Sequence, residues 1–249
     1  MPEMLAIHGG IPTRTTPFPE WPDFDRLEEI ALLEVLRSGD WGVLTGTKVR
    51  QFEAQFAAFQ EAKHGTCVPN GTVGLELAIW ALGIGPGDEV ITTPYTFIAT
   101  VNAILRVGAV PVFVDIDPNT FLMDVDQIEA AITSRTKAIM PVHFAGCPVN
   151  MDALLDIARR NGLAVIEDAC QAIGGSYKGR FLGAIGDVGA FSFNHFKNIA
   201  CGEGGAILTN DRKIYERALY YHDMGCSFRG HAGDLSEPPF LGNTYRMNE

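Results

Sequence analysis

The stretch Gly189-Ala-Phe-Ser-Phe-Asn-His-Phe-Lys197-Asn-Ile-Ala-Cys-Gly-Glu-Gly-Gly205 carries the pattern from which the fold is read. Val188 to Phe193 is a run of apolar and aromatic residues, as expected of a buried strand. It breaks at Asn194-His195. A glycine-rich turn, Gly202 to Gly205, leads into a second apolar run, Ala206 to Thr209. With no long helix between the two runs, one of them can lie antiparallel to the rest of a sheet. Lys197 stands between them among residues mostly too apolar for a surface lysine. Two readings are open: a loop lysine covering a hairpin, or an amine held beside a strand end for Schiff-base chemistry.

Upstream, strand and helix alternate. Apolar runs at Thr66–Val68, Glu89–Thr92, Val110–Val114, Ala138–Val142 and Ala164–Ile166 predict strands. Helical stretches are expected at Val73–Leu82, Ile98–Val107, Ile128–Ile132, Ala153–Arg160 and Arg212–Tyr221. Strands joined through helices imply right-handed crossovers and a largely parallel, buried sheet. Before this region, Asp23 and Asp25 offer N-caps for a stripe of Leu27, Ile30, Leu33 and Leu36 that stops at Ser38-Gly39. Val49, Phe52, Phe56 and Phe59 form a second stripe of core candidates, closed by His64-Gly65. Residues 1 to 22 hold five prolines and no period, an extended arm in search of a surface. The expected organisation is therefore an arm over residues 1–24 and one α/β body over residues 25–249.

Among 249 residues, 30 are acidic and 19 basic, for a net charge of -11, which argues against nucleic acid or an anionic membrane as main partner. No apolar run is long enough to span a bilayer, and Met1-Pro-Glu-Met-Leu lacks the basic and apolar regions of a signal peptide. Cys67, Cys147, Cys170, Cys201 and Cys226 are scattered and odd in number, the usage of reduced thiols in a cytoplasmic protein. No H-E-x-x-H or cysteine–histidine pattern supports a metal. Leu82-Gly-Ile-Gly-Pro-Gly87 follows a helix and precedes a strand, the reverse of a dinucleotide fingerprint.

In a parallel α/β sheet, ligands collect beyond the carboxyl ends of the strands. After the first strand, Gly71 and Thr72 open a helix, where backbone N–H groups and a hydroxyl suit a phosphate; Thr72 as a plain N-cap is the alternative. Pro94-Tyr-Thr-Phe97 offers aromatics for a flat ring or for the core. His143 is a polar contact for substrate or a satisfied buried histidine. Asp168, at the end of an apolar strand, needs a cation or donors to be tolerated there. Ser192 is a further phosphate donor. A phosphate cradle, a stacking aromatic, a strand-end carboxylate and a lysine match the needs of pyridoxal phosphate. That convergence favours the catalytic reading of Lys197.

The chain resembles the DegT/DnrJ/EryC1/StrS sugar aminotransferases. Asn70-Gly-Thr72, Gly85-Pro-Gly-Asp-Glu-Val90, Pro94-Tyr-Thr-Phe-Ile-Ala-Thr100, Phe113-Val-Asp-Ile-Asp117, Pro141-Val-His143, Val165-Ile-Glu-Asp-Ala169, Gln171-Ala172, Phe191-Ser-Phe193, Lys197 and Gly202-Glu-Gly-Gly205 run in family order. The resemblance implies the three-layer, mostly parallel large domain of fold type I pyridoxal-phosphate transferases. It implies Lys197 as the Schiff-base lysine and Asp168 as partner of the ring nitrogen. Gln171 would contact the ring hydroxyl and Phe97 would stack on the ring, while Gly71, Thr72 and Ser192 would hold the phosphate. It further implies a homodimer, glutamate or glutamine as amino donor, and a keto sugar or keto cyclitol as acceptor. Members with histidine in place of the lysine are dehydratases; lysine here favours transamination. Dehydration, or a non-catalytic pyridoxal-phosphate-binding role, are the alternatives. Two departures stand out. Thr244 occupies the slot of an asparagine that reaches the neighbouring subunit's phosphate, with Asn243 beside it as alternative. Family members also continue beyond this motif into a small C-terminal domain, which the chain ending at Glu249 is expected to lack.

Overall fold

Apolar runs long enough for strands, most of them followed by a helix, build the sheet seen in the computed structural model, which describes residues 4–225 and 241–249. Helices α1 (Arg26–Ser38) and α2 (Lys48–Phe59) come first. Then β1 (His64–Val68), α3 (Gly71–Ala81), β2 (Glu89–Thr92), α4 (Ala99–Arg106) and β3 (Val110–Phe113) alternate. Next come the short α5 (Ile128–Ala131), β4 (Thr136–Ile139), α6 (Met151–Asn161) and β5 (Ala164–Asp168). A small hairpin, β6 (Ser176–Tyr177) and β7 (Arg180–Phe181), precedes β8 (Val188–Ser192), β9 (Gly205–Thr209) and α7 (Arg212–His222).

The seven main strands lie in the order β1-β9-β8-β5-β4-β2-β3. Only β9 runs antiparallel, to both β1 and β8, so the run after the glycine-rich turn is the reversed strand. Every residue of β2, β8 and β9 is buried, which explains why these strands read as continuous apolar runs without alternation. Helices cover both faces. Leu75, Leu77 and Ile79 of α3, Ile104 of α4 and Ala218 of α7 pack with Val90 and Ile207 on one face. Phe56 of α2 and Met151 and Leu154 of α6 pack with Phe191 and Phe193 on the other. Phe56 meets both of these rings edge-on, at centroid distances of 5.0 and 5.2 Å.

Local departures from the expected boundaries have local causes. The β4 ladder stops at Ile139, and Pro141 just beyond it has no N–H to donate. The chain regains the sheet at Val142, which bridges Asp168. His64 and Gly65 open β1 rather than closing α2. Phe59, expected in the core, is 51% exposed and lies against Phe181 of the small hairpin. Helix α1 forms as its signals dictate, with an Asp25–Glu28 capping box and Gly39 left-handed at φ 77°. Most of its apolar stripe, however, is uncovered: Leu27, Ile30 and Leu36 are exposed and Leu33 is half-buried. Cys226 and residues 1–3 lie outside the described residues.

Candidate active site

The carboxyl ends of β1, β5 and β8 lie close together and frame one corner of the molecule. Asn70 caps α3 by accepting from the Val73 N–H at 3.0 Å, so the cap is Asn70 and not Thr72. This leaves the N–H groups of Gly71 and Thr72 in the first turn, where a helix has no internal acceptor for them. Gly71 is dictated by closeness: a Cβ there would stand 2.8 Å from Ser192 Cβ and 3.0 Å from Cys170 Sγ. Gly205 is needed from the other side, since its Cβ would come within 2.6 Å of the Asn70 carbonyl carbon. The glycine-rich turn therefore lets β9 lie against the start of α3.

Asp168, almost fully buried, ends β5. Its Oδ2 accepts from the Thr100 hydroxyl at 2.7 Å and its Oδ1 from the Cys170 N–H at 3.2 Å. Thr100 in turn shares a 2.8 Å hydrogen bond with the Thr96 hydroxyl. Gln171 Oε1 accepts from the Ala145 N–H at 2.9 Å, which leaves the carboxamide NH2 as its donor. Lys197 sits in a turn closed by its own N–H on the Asn194 carbonyl at 2.8 Å. The indole N–H of Trp21, in the N-terminal arm, donates to the His195 carbonyl two residues before the lysine.

A cavity of about 530 Å³ gathers these groups: Gly71, Thr72, Phe97, Asp168, Gln171, Ser192 and Lys197 all line it. Phe97 also lines it and is 69% exposed. A second cavity of about 370 Å³ shares Cys170, Gln171, Phe196 and Lys197 with the first. Burial and the Asp168 charge push the Cys170 thiol well up, against a smaller downward pull from Lys197. Cys170 therefore lines the site as a neutral thiol.

His143 is not among the residues that line this cavity. Its ring is fully buried. Nδ1 accepts from the Val149 N–H at 3.3 Å, so Nε2 carries the proton toward Glu167 Oε2 at 2.9 Å. Glu167 also accepts from the N–H groups of Gly183, Ile185 and Gly186, at 2.8, 2.7 and 2.7 Å. Burial pushes this carboxyl up, but the His143 bond and the backbone N–H groups outweigh it and hold it below the usual range. The Asn243 side-chain amide donates to the Tyr245 hydroxyl at 3.1 Å. The Tyr245 hydroxyl itself reaches Glu76 Oε1 at 2.6 Å. Burial and this carboxylate push the Tyr245 phenol strongly up.

Sequence reasoning missed Thr100, Thr96 and Asn70. Thr100 carried a signal, a hydroxyl in the first turn of a helix whose neighbouring positions are apolar. Nothing local said that it faces Asp168, which is 68 residues away.

The fold is thus a helix–sheet–helix α/β body with the start of α3, a donor-supported carboxylate and a lysine in one cavity at the strand ends. The chain belongs to the DegT/DnrJ/EryC1/StrS aminotransferase family, whose profile matches residues 23–249. It is 44% identical over 224 residues to an L-glutamine:2-deoxy-scyllo-inosose aminotransferase of Streptoalloteichus tenebrarius, a match covering 87% of this chain and 52% of that protein. It is also 44% identical over 208 residues to a GDP-perosamine synthase of Escherichia coli O157:H7, covering 83% of this chain and 56% of the relative. Among solved structures, ntda from Bacillus subtilis with bound cofactor PMP superposes with a TM-score of 0.80 at 36% identity, covering 89% of this chain and 50% of that one. The chain spans 60% of the length of another curated relative, to which it is 43% identical.

Proposed function

We propose that this protein is a pyridoxal-phosphate-dependent aminotransferase that moves an amino group from glutamine or glutamate to a keto sugar or keto cyclitol. The observation that carries the reading is the single cavity lined by Lys197, Asp168, Gln171, Phe97, Gly71, Thr72 and Ser192. The cavity fits the cofactor at both ends. Gly71 leaves a cradle that any Cβ would fill, suited to a phosphate at the start of α3. Asp168 is a buried carboxylate with a donor on each oxygen, suited to a protonated ring nitrogen.

Gly71, Thr72 and Ser192 would hold the phosphate, Phe97 would cover the ring, and the Gln171 carboxamide would donate to the ring hydroxyl. Pyridoxal phosphate, when bound, supplies an electron sink for the pair released at the donor's Cα. Lys197 Nζ would hold the cofactor and would serve as the base that moves the proton from the donor's Cα. Asp168 keeps the ring nitrogen protonated, so that the sink stays effective. The names of the relatives support glutamine as donor and a cyclitol or sugar as acceptor.

The reading extends to an arm over residues 1–24 on a cofactor-binding body over residues 25–249. It includes a homodimer, for which the exposed Leu27, Ile30, Leu36 and Phe97 supply apolar surface, and a cytoplasmic setting. Among the described residues no helix is long and apolar enough to cross a membrane. Cys67, Cys147, Cys170 and Cys201 are free thiols. The test is product analysis by mass spectrometry after incubation with pyridoxal phosphate, glutamine and a keto cyclitol or keto sugar. An amine product supports the reading; a deoxy-ketone identifies a dehydratase and overturns it.

A further inference from the structure

One segment serves two sides of the cofactor cavity. Residues 94–100 turn after β2 and enter α4, presenting Phe97 at the cavity edge and Thr100 beneath it. The two are locked together, because the Thr100 N–H donates to the Phe97 carbonyl at 3.1 Å. The Thr100 side chain is fully buried and directed at Asp168, with Oγ1 at 2.7 Å from Oδ2.

A threonine hydroxyl has one proton to give. Three acceptors lie near it: Asp168 Oδ2 at 2.7 Å, Thr96 Oγ1 at 2.8 Å and the Phe97 carbonyl at 3.2 Å. The carboxylate is the nearest, and it alone of the three bears charge, so it takes the proton. Thr96 then donates to Thr100, and the two hydroxyls form a directed chain from the cavity lining to the carboxylate. On the other oxygen, Asp168 accepts the longer 3.2 Å bond from the Cys170 N–H. Rotation of the carboxyl about its last bond is therefore controlled mainly by Thr100.

We infer that Thr100 is a positioning residue for this active site: its hydroxyl orients the Asp168 side chain, so that Asp168 keeps the cofactor's ring nitrogen protonated. The inference rests on the proposed pyridoxal-phosphate chemistry. It adds that the segment bearing the ring-stacking Phe97 also sets the partner of the ring nitrogen. Cofactor stacking and ring protonation are then coupled through the first turn of α4. A hydrogen bond to a charged group shifts a protonation equilibrium by roughly tenfold or more.

The test compares wild type, Thr100→Val, which keeps the shape and removes the hydroxyl, and Thr100→Ser, which restores it. Each is reconstituted with pyridoxal phosphate labelled with 15N in the ring. The readouts are the 15N chemical shift against pH, kcat and KM for glutamine, and the melting temperature without cofactor. In wild type and Thr100→Ser the ring nitrogen stays protonated around neutral pH. In Thr100→Val its titration midpoint falls by about one pH unit and kcat falls about tenfold, with KM within about twofold. If Thr100→Val does not fold, Thr100→Ala is compared with Thr100→Ser in the same way. An unshifted nitrogen titration in the hydroxyl-free variant overturns the inference. So does a Thr100→Ser variant as impaired as Thr100→Val. Borohydride trapping of the cofactor on Lys197 separates the two levels. Trapping intact with no nitrogen shift sinks the role of Thr100 alone, whereas no trapping in wild type sinks the proposed chemistry and this inference together.

Discussion

Glu167→Gln is expected to weaken the fold by an amount that its hydrogen bonds define. The Glu167 side chain is fully buried and its two oxygens accept four hydrogen bonds, from Ile185 and Gly186 on Oε1 and from Gly183 and His143 on Oε2. A glutamine keeps one oxygen for the first pair. Its NH2 then faces the Gly183 N–H and the His143 Nε2–H, two donors with nothing to accept them. His143 cannot relieve this by moving its proton to Nδ1, because that nitrogen already accepts from the Val149 N–H. Two lost hydrogen bonds to a charged group, at about 1.5–3 kcal/mol each, predict a loss of about 3–6 kcal/mol. Total stability is on the order of 5–15 kcal/mol for a domain, so the variant sits near the edge of folding. Urea titration followed by circular dichroism measures the difference. The pH dependence adds a sign. Because the folded carboxyl is held below its unfolded value, the wild-type advantage is complete above the unfolded pKa of about 4.3. It is lost as pH falls through the lower folded value, while the glutamine variant does not titrate. A difference below about 1 kcal/mol at pH 7, or one that grows on acidification, would refute this account of the buried pair.

Two further outcomes follow from the geometry of the cavity. Gly71→Ala places a Cβ 2.8 Å from Ser192 Cβ, so the phosphate corner must open. Affinity for pyridoxal phosphate, measured by fluorescence quenching, should drop about tenfold or more, on the order of 1.4 kcal/mol; an unchanged affinity would place the phosphate elsewhere. Cys170, with its thiol pushed up by burial and by Asp168, should react with iodoacetamide at pH 8 far more slowly than the exposed Cys147. Peptide mass spectrometry over a time course reads this directly, and equal rates would contradict the neutral, enclosed thiol.

Much of this structure was legible because its signals are local. Asp25, Glu28 and Gly39 bound α1, and the apolar runs of β5, β8 and β9 mark strands that are covered on both faces. The edge of the sheet that carries the cavity was legible because parallel strands point their carboxyl ends the same way, which puts Gly71, Asp168, Ser192 and Lys197 at one edge. The strand order was not legible. The pairing of β1 with β9 joins His64 to Thr209, a contact that no local pattern encodes. Burial also escaped the pattern. The stripe of α1 is as periodic as that of α2, yet Leu27 is exposed and Phe56 is buried, because only α2 has the sheet beneath it. The roles of adjacent carboxylates were only half visible. Strand alternation sends Asp168 to the cavity and Glu167 to His143 and the loop at residues 183–186, and only the fold shows which side is which.

The central claim, that Lys197 is the amine that holds the cofactor, has one direct measurement. The protein is mixed with pyridoxal phosphate, its visible absorption recorded, the bond reduced with borohydride, and the labelled peptide sequenced by mass spectrometry. The account predicts a visible band in wild type, a label on Lys197, and loss of both in Lys197→Ala. A band that persists unchanged in Lys197→Ala, or a label on another lysine, would contradict it.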